Sequence, residues 1–249
     1  MGFNIGGYTY NSQMASTEVY KAISQRGLKL NLDVSSIDSY SGTGTTWYDL
    51  TSNGYTADLY TAPTYSSSNG GFFTFNGTTH SIRILNSSSQ YNFGGGNCAY
   101  AFWFKTTATT GNPFFVYNCC SLVGCGINSS GYINFSMRDD GCNGVTATTS
   151  IAYNDNVWHY YVGQRIGTSI YVYIDGVLRA SASGTLGNVN TTNGNILLGN
   201  SASNGCPAQI PNGEGVWAGS MGVFHIYNRA LDITEITQNY NIQKGRFGL

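Results

Sequence analysis

Apolar and polar residues alternate with a period of two along most of the chain. Residues 28–34 read LKLNLDV, in which every second residue is apolar. Successive side chains of a β-strand point to opposite faces, so this pattern predicts a strand with one buried face. Comparable runs predict ten further strands, at 72–75, 81–85, 99–105, 113–117, 132–137, 158–165, 169–175, 177–182, 196–198 and 216–227.

Pairs of Asn-Gly or Asp-Gly separate many of these runs, and Asp175-Gly176 is one example. Both pairs tolerate the positive φ angles that tight hairpins need. No helical stretch of about 10–15 residues interrupts the strand runs, which argues against a parallel α/β sheet. The pattern therefore predicts an all-β protein, an antiparallel two-sheet jelly-roll sandwich.

Two short helices are predicted, one near each terminus. The first spans residues 16–26, with Ser16 or Thr17 as its N-cap. The second begins after Asp232, and Glu235 completes a capping box. Its apolar face, which we expect to dock on the sandwich, consists of Ile233, Ile236 and Tyr240.

Four sequence blocks follow one another in a fixed order. They are LNLD (30–33) with WYDLTSNG (47–54), FTFNG (73–77), WHYY (158–161) with IYVYIDG (170–176), and GVFHIYNRAL (222–231) with Glu235-Ile236. Together they resemble the concanavalin A-like lectin/glucanase superfamily, in its laminin-G-like branch. The resemblance implies a jelly-roll domain at 27–249. It leaves residues 1–26 as an N-terminal arm for attachment or oligomerisation. Trp47 and Trp158 are bulky anchors, and we expect both in or near the core.

Two further stretches resemble versions of this domain in structural proteins of tailed bacteriophages. They are SYSGTGTTWYDLTSNG (39–54) and NYNIQKGRFGL (239–249). This resemblance implies a protein of the virion surface, either a capsid decoration protein or a fibre component. Its partners would be the major capsid protein or other virion proteins, together with further copies of itself. The alternative is a stand-alone carbohydrate-binding lectin, at the cell surface or secreted.

The composition narrows the range of partners. Only 9% of the 249 residues are charged and the net charge is −1, so we expect no nucleic acid partner. No window of about 20 apolar residues predicts membrane insertion. The N-terminus has neither a basic region nor an apolar stretch, so no secretory signal is expected. A neutral surface rich in Ser, Thr and Asn suits contact with sugars or with neighbouring subunits.

The carboxylates do not form a catalytic pattern. Glucanases that this chain resembles carry an acidic E-x-D-x-x-E strand, whereas Glu18, Glu214 and Glu235 lie far apart. We therefore predict no catalytic residues and no enzymatic activity.

We expect no cofactor. The alternative is that the protein binds calcium, as many members of the family it resembles do. The best local cluster is Asp139-Asp140-Gly141-Cys142-Asn143, and a second would combine Asp49 and Asn53 with a distant loop. Both stretches also suit polar turns held by side-chain hydrogen bonds, so no metal ligands are assigned.

Two pairs of residues are candidate ligand contacts. Tyr171 and Tyr173 lie two apart on one predicted strand and share a face, and Tyr132 alternates with Asn134 in the same way. Such faces suit host surface glycans, but equally a core or a subunit contact. The six cysteines are consistent with a disulfide or with buried thiols. They are Cys98, Cys119, Cys120, Cys125, Cys142 and Cys206.

Overall fold

The computed structural model describes residues 22–201 and 214–249. These residues form sixteen β-strands and one α-helix, and the all-β prediction is confirmed. The strands are β1 (Leu28–Asp33), β2 (Thr46–Tyr48), β3 (Thr56–Thr61), β4 (Thr64–Ser66), β5 (Phe72–Asn76), β6 (Ser81–Ile84), β7 (Cys98–Lys105), β8 (Phe114–Asn118), β9 (Ser121–Ile127), β10 (Tyr132–Arg138), β11 (Gly144–Ala152), β12 (His159–Ile166), β13 (Ser169–Ile174), β14 (Val177–Ser183), β15 (Ile196–Leu198) and β16 (Ala218–Tyr227). Helix α1 spans Ile233–Lys244, and a 3₁₀ turn, Gly245–Phe247, follows it.

Two antiparallel sheets of eight strands face each other. The first sheet has the order β14-β13-β12-β7-β16-β5-β4, and β1 also pairs with β16. The second sheet has the order β11-β10-β9-β8-β15-β6-β3-β2. Strands that are distant in sequence lie side by side in both sheets, as the jelly-roll prediction requires.

All eleven predicted strands are present, with ends that shift by one or two residues. The sequence patterns do not predict β2, β3, β4, β9 or β11. Two of these are only three residues long. In β9 two glycines interrupt the alternation, and β11 presents Thr149 rather than an apolar residue at one of its inward positions. The Asp175-Gly176 turn is confirmed, with φ angles of 54° and 79° between β13 and β14.

Aromatic side chains fill the space between the sheets. Phe102 and Phe224 of the first sheet meet Phe114 of the second, with ring centroids 5.7–6.0 Å apart across the sheets. Trp47 is fully buried in this core, as predicted. Burying rings of this size supplies most of the favourable free energy of a sandwich.

A second apolar cluster lies on the outer face of the first sheet, beneath α1. Trp103 of β7 stacks on Phe247 at 4.4 Å and donates its Nε1 hydrogen to Gln243 Oε1 at 2.8 Å. Trp158 belongs to the same cluster, so it too is buried as predicted. Because the C-terminal segment covers this face, β7 is buried on both sides.

The capping box of α1 is confirmed. Asp232 Oδ1 accepts from the Glu235 backbone N–H at 2.9 Å, and Glu235 Oε2 accepts from the Asp232 N–H at 3.0 Å. The predicted apolar face is wrong in one position. Ile236 is buried and Tyr240 packs on the cluster, but Ile233 is 54% exposed. Ile233 is the first helical residue, and the helix docks through its later turns.

The predicted N-terminal helix at 16–26 is wrong for residues 22–26, which are not helical. Residues 16–21 lie outside the described part of the chain. Residues 22–26 instead pack along α1, where the Ser24 N–H donates to Asn239 Oδ1 at 2.7 Å. Gln238 Nε2 also donates to the Ala22 carbonyl at 2.7 Å. Partners on the helix side chains take the place of helical hydrogen bonds within this segment.

The described cysteines include both a disulfide and buried thiols, the two alternatives that the sequence left open. Cys120 and Cys142 form a disulfide, whereas Cys98 and Cys125 are buried thiols. Among residues 22–201 and 214–249, no helix has the length and apolarity needed to cross a bilayer.

Two histidines have pKa values displaced in opposite directions. Burial tends to lower the pKa of His159, but Asp175 Oδ2, 2.7 Å from its Nδ1, and Asp155 Oδ1, 3.2 Å from its Nε2, raise it above 6.5. His225 is fully buried on β16, and this burial lowers its pKa to about 4 against the opposing effect of Asp33.

We predict that the histidine contribution to stability is greatest near pH 6.5. As the pH falls from 6.5 towards 4, unfolded His225 binds a proton that folded His225 does not, so the free energy of unfolding falls. As the pH rises above 6.5, folded His159 keeps a proton that the unfolded chain has lost, so the free energy falls again. A plot of the free energy of unfolding against pH should therefore have two limbs, one on each side of pH 6.5. Urea unfolding at a series of pH values measures both.

Each limb has its own control variant. His225→Met should flatten the limb below pH 6.5, and His159→Gln should flatten the limb above it. Persistence of a limb in its matching variant would contradict the assignment.

The Arg229 guanidinium lowers the pKa of Glu235 to about 2, so the contribution of that carboxylate to stability is lost only as the pH falls below its ordinary pKa of 4.5.

Candidate functional site

The outer faces of the two sheets differ in what covers them. The C-terminal segment packs on the first sheet, but within the described residues no helix packs on the second. In β10 and β11 the side chains that alternate with the core residues are half-buried or exposed, whereas Leu197 of β15 is buried. In β10 these outward residues include Tyr132, Asn134 and Ser136, whereas Phe135 points into the core.

A groove of about 340 Å³ lies on this outer face. Its lining includes Asn112, Phe115, Gly124, Gly126, Asn134 and Ser136. These residues come from β8, β9 and β10, which are neighbours in the sheet, and from the loop before β8. The groove is thus built on regular strands, which hold its shape.

Two glycines of β9 make the groove. A Cβ at position 124 would lie 3.1 Å from Phe115 Cδ2. A Cβ at position 126 would lie 3.1 Å from Asn134 Nδ2 and 3.2 Å from Asn112 Oδ1. Any larger residue would occupy the space beside the ring or beside the two amides, so the absence of both side chains leaves the groove open.

The groove combines an aromatic ring with neutral polar groups. Asn134 lies opposite Gly126, whose N–H donates to Asn134 Oδ1 at 3.1 Å. The Asn134 Nδ2 group donates no hydrogen bond within the described part of the protein. Ser136 Oγ and Thr146 Oγ1 are 2.9 Å apart and share a hydrogen bond. The lining thus offers amide and hydroxyl groups next to the ring of Phe115.

The predicted ligand pairs do not form one site. Tyr132 and Asn134 share the outer face of the second sheet, and Asn134 lines the groove. Tyr171 and Tyr173 lie on the outer face of the first sheet, where Tyr173 packs against the cluster beneath α1. Burial raises the pKa of Tyr173. The two-residue spacing gave each pair a common face, but it could not tell which sheet each strand joins.

The sequence patterns do not single out five of the residues that line the groove, which are Asn112, Phe115, Gly124, Gly126 and Ser136. One signal was available for β9, where two glycines alternate with apolar residues in LVGCGI. Glycine at alternate positions of a strand leaves one face bare, which is where another group can approach the backbone closely. Nothing in the sequence alone places Asn112 beside them.

The two stretches considered for calcium are turns with satisfied carboxylates. Asp139 Oδ1 accepts from the Asn143 N–H and Oδ2 from the Gly187 N–H, both at 2.8 Å. The hydrogen bond from Gly187 is the main reason that the pKa of Asp139 is lowered, and the bonds from Asn143 add to it. Asp49 Oδ1 accepts from the backbone N–H of Asn31 at 2.8 Å.

No metal cluster involves these carboxylates. Across residues 22–201 and 214–249 no three His, Cys, Asp or Glu side chains are grouped to hold a metal ion.

One end of the groove-bearing strands is braced covalently. The Cys120–Cys142 disulfide joins the turn between β8 and β9 to the turn between β10 and β11. The Arg138 side chain donates to the carbonyls of Cys119 and Cys120, and it lies 5.6 Å from the centroid of the Tyr117 ring. The guanidinium is therefore engaged with the protein itself.

Solved structures with the same fold include several toxin binding domains. The binding domain of botulinum neurotoxin serotype G aligns with a TM-score of 0.67 at 17% identity, covering 87% of this chain and 51% of that one. The binding domain of Paraclostridial Mosquitocidal Protein 1 gives 0.69 at 16% identity, covering 86% and 52%.

A third structure is the ligand-binding domain of botulinum neurotoxin serotype D in complex with N-acetylneuraminic acid. It gives 0.65 at 14% identity, covering 86% and 50%. The chain spans about half the length of these structures, and identities this low show a shared fold.

No curated protein matches the chain. A family model of laminin-G-like domains, described as belonging to the concanavalin A-like lectin/glucanases superfamily, matches residues 77–237. That match covers more than half of the sequence and includes β8, β9 and β10. The chain therefore belongs to the concanavalin A-like lectin/glucanase superfamily.

Proposed function

We propose that this domain binds carbohydrate in the groove on the outer face of its second sheet. The observation that carries the proposal is the pair of glycines in β9, Gly124 and Gly126. Because they have no side chains, the ring of Phe115 is accessible in the groove. Asn112, Asn134 and Ser136 lie beside it. A sugar ring has apolar C–H faces and a rim of hydroxyls. The Phe115 ring suits the faces, and the amides and hydroxyls suit the rim.

The same surface supports binding without catalysis. Retaining glycoside hydrolysis needs two carboxyl groups about 5–5.5 Å apart. The described lining of the groove contains no Asp or Glu. Glu235 lies in α1, on the other side of the sandwich, where Arg229 and Ser24 donate hydrogen bonds to it.

Three groove variants test the site. We expect Phe115→Ala and Asn134→Ala each to lower the affinity for the glycan roughly 10-fold, since each removes one favourable contact. Ser136→Tyr fills the groove and should abolish binding. Calorimetric titration against a ligand chosen from a glycan panel measures the affinity, and chromatography should recover the glycan uncleaved.

A matched control is Ser181→Tyr, the same substitution on exposed β14 of the first sheet. It should leave the affinity unchanged. Full affinity in Ser136→Tyr would place the binding site elsewhere. Failure of the wild-type protein to bind any glycan of the panel would contradict the proposed function itself.

We also propose that binding needs no calcium. Support comes from Asp139 and Asp49, whose oxygens already accept N–H hydrogen bonds. Excess EDTA should therefore leave both the Tm and the glycan affinity unchanged. A rise in Tm on adding calcium to the EDTA-treated protein would show a bound ion.

A second proposal concerns where the domain is displayed. The resemblance of residues 39–54 and 239–249 to structural proteins of tailed bacteriophages favours a position on the virion surface, as a capsid decoration or fibre component. Such a protein would contact the major capsid protein and assemble in several copies, and glycan binding would serve adhesion to the host.

Quantitative mass spectrometry of purified particles tests this placement. One copy per few capsid subunits is expected for a decoration protein, and a few to tens of copies per particle for a fibre. Absence of the chain from the particles would contradict the virion role and leave the stand-alone lectin.

A further inference from the structure

We infer that His159 is a pH-dependent latch for the tip of the loop between β11 and β12, residues 155–157. The latch holds the tip at mildly acidic pH and releases it as the pH rises. The inference is independent of the proposed function, because the groove lies on the other sheet. It depends on two carboxylates around the imidazole ring and on how many hydrogens that ring can donate.

The tip lies between two buried aromatic anchors. Tyr153 and Trp158 are each 5% exposed, whereas the three residues of the tip are exposed. Tyr153 is also fixed through its backbone N–H, which donates to the Gly131 carbonyl at 2.9 Å. Burial therefore sets both ends of the loop, while polar contacts set the position of the tip.

Asp155 connects the tip to His159, the first residue of β12. Its Oδ1 and Oδ2 atoms lie 3.2 and 3.3 Å from His159 Nε2. The Asn156 N–H adds a link to the Thr106 carbonyl at 3.0 Å. Because the Asp155 side chain is 51% exposed, it can turn into solvent at little cost when its contact with the ring fails.

A second carboxylate holds the opposite side of the ring. Asp175, in the turn between β13 and β14, places its Oδ2 2.7 Å from His159 Nδ1. Its Oδ1 accepts from the Tyr160 N–H at 2.8 Å, and its side chain is only 25% exposed. This contact is shorter, more buried and better fixed than the contact with Asp155. It is therefore the contact that keeps its hydrogen when the ring has only one to donate.

Only the protonated ring satisfies both carboxylates. A protonated imidazole donates from both nitrogens, whereas a neutral imidazole donates from one and carries a lone pair on the other. When the ring loses a proton, Nδ1 keeps its hydrogen for Asp175, and the lone pair of Nε2 faces the Asp155 carboxylate. The lone pair and the anion repel each other at 3.2 Å, so Asp155 turns away and the tip follows.

The other ionisable groups near the ring act on its aromatic neighbours. The Tyr153 ring meets the His159 ring edge to face at 5.1 Å, and the Arg179 charge opposes the rise in the pKa of Tyr153 that burial causes. Lys105 Nζ lies 5.5 Å from the centroid of the Trp158 ring. Burial lowers the pKa of His159, but Asp175 and Asp155 raise it above 6.5, so release is expected above that pH.

NMR relaxation of the full chain tests the latch. At about pH 5.5 we expect backbone order parameters near about 0.85 for Asn156 and Val157, and at about pH 8.5 values below about 0.6. The change should have the same midpoint as the titration of the His159 ring. Val162, in the middle of β12, should stay rigid at both pH values and so show that the fold is intact.

Asp155→Asn should remove the pH dependence while it keeps the size of the side chain. An amide can accept from an N–H or donate to a lone pair, so the tip should stay ordered at both pH values. The midpoint of His159 should fall by roughly 0.2–0.7 pH units, because one exposed ion pair is lost. His80→Gln is the matched control. Its ring contacts the Thr74 carbonyl at 3.2 Å, away from this loop, so the tip should keep its pH dependence.

Three results would overturn the inference. Equal order of the tip at both pH values in the wild-type protein would show that His159 does not control it. A pH-dependent tip in Asp155→Asn would assign the effect to another group. Different midpoints for the tip and for the His159 ring would separate the two events.

Discussion

The packing of the C-terminal segment on the first sheet makes the two outer faces of the sandwich different. Trp103 points away from the inter-sheet core, and its large ring must be removed from water by something outside the sheet. Phe247 and Tyr240 stack on it, and Gln243 accepts its N–H. The capping box and the Arg229–Glu235 ion pair hold α1 where these contacts form.

Within residues 22–201 and 214–249, this asymmetry leaves the outer face of the second sheet without a helix packed on it. Its inner residues complete the aromatic core, so their positions are set by packing. Its outer residues are released from that constraint, and at β9 the chain places Gly124 and Gly126 there. The two glycines thus form a shallow groove on the sheet itself, and the disulfide ties together the turns of the strands on both sides.

The sequence predicted the architecture well because alternation is a direct consequence of strand geometry. It located β10 and β13, whose inward positions are all apolar, and it located the Asp232 cap. It failed where local signals are weak. β9 carries two glycines, and residues 22–26 are held by α1 and by Arg229, both far along the chain. For the site, the two-residue spacing placed Tyr132 and Asn134 on one face of β10, and Asn134 lines the groove. Side-chain alternation gives a face, while strand order, which depends on contacts across the whole chain, decides which faces meet a ligand.

NMR mapping of the backbone amides during titration with a glycan selected from a panel tests the central claim most directly. We expect the shift changes to be concentrated on β8, β9 and β10, around Phe115, Gly124 and Asn134. Changes confined to the first sheet around Tyr171 and Tyr173, or to the loops at the rims of the sandwich, would contradict it.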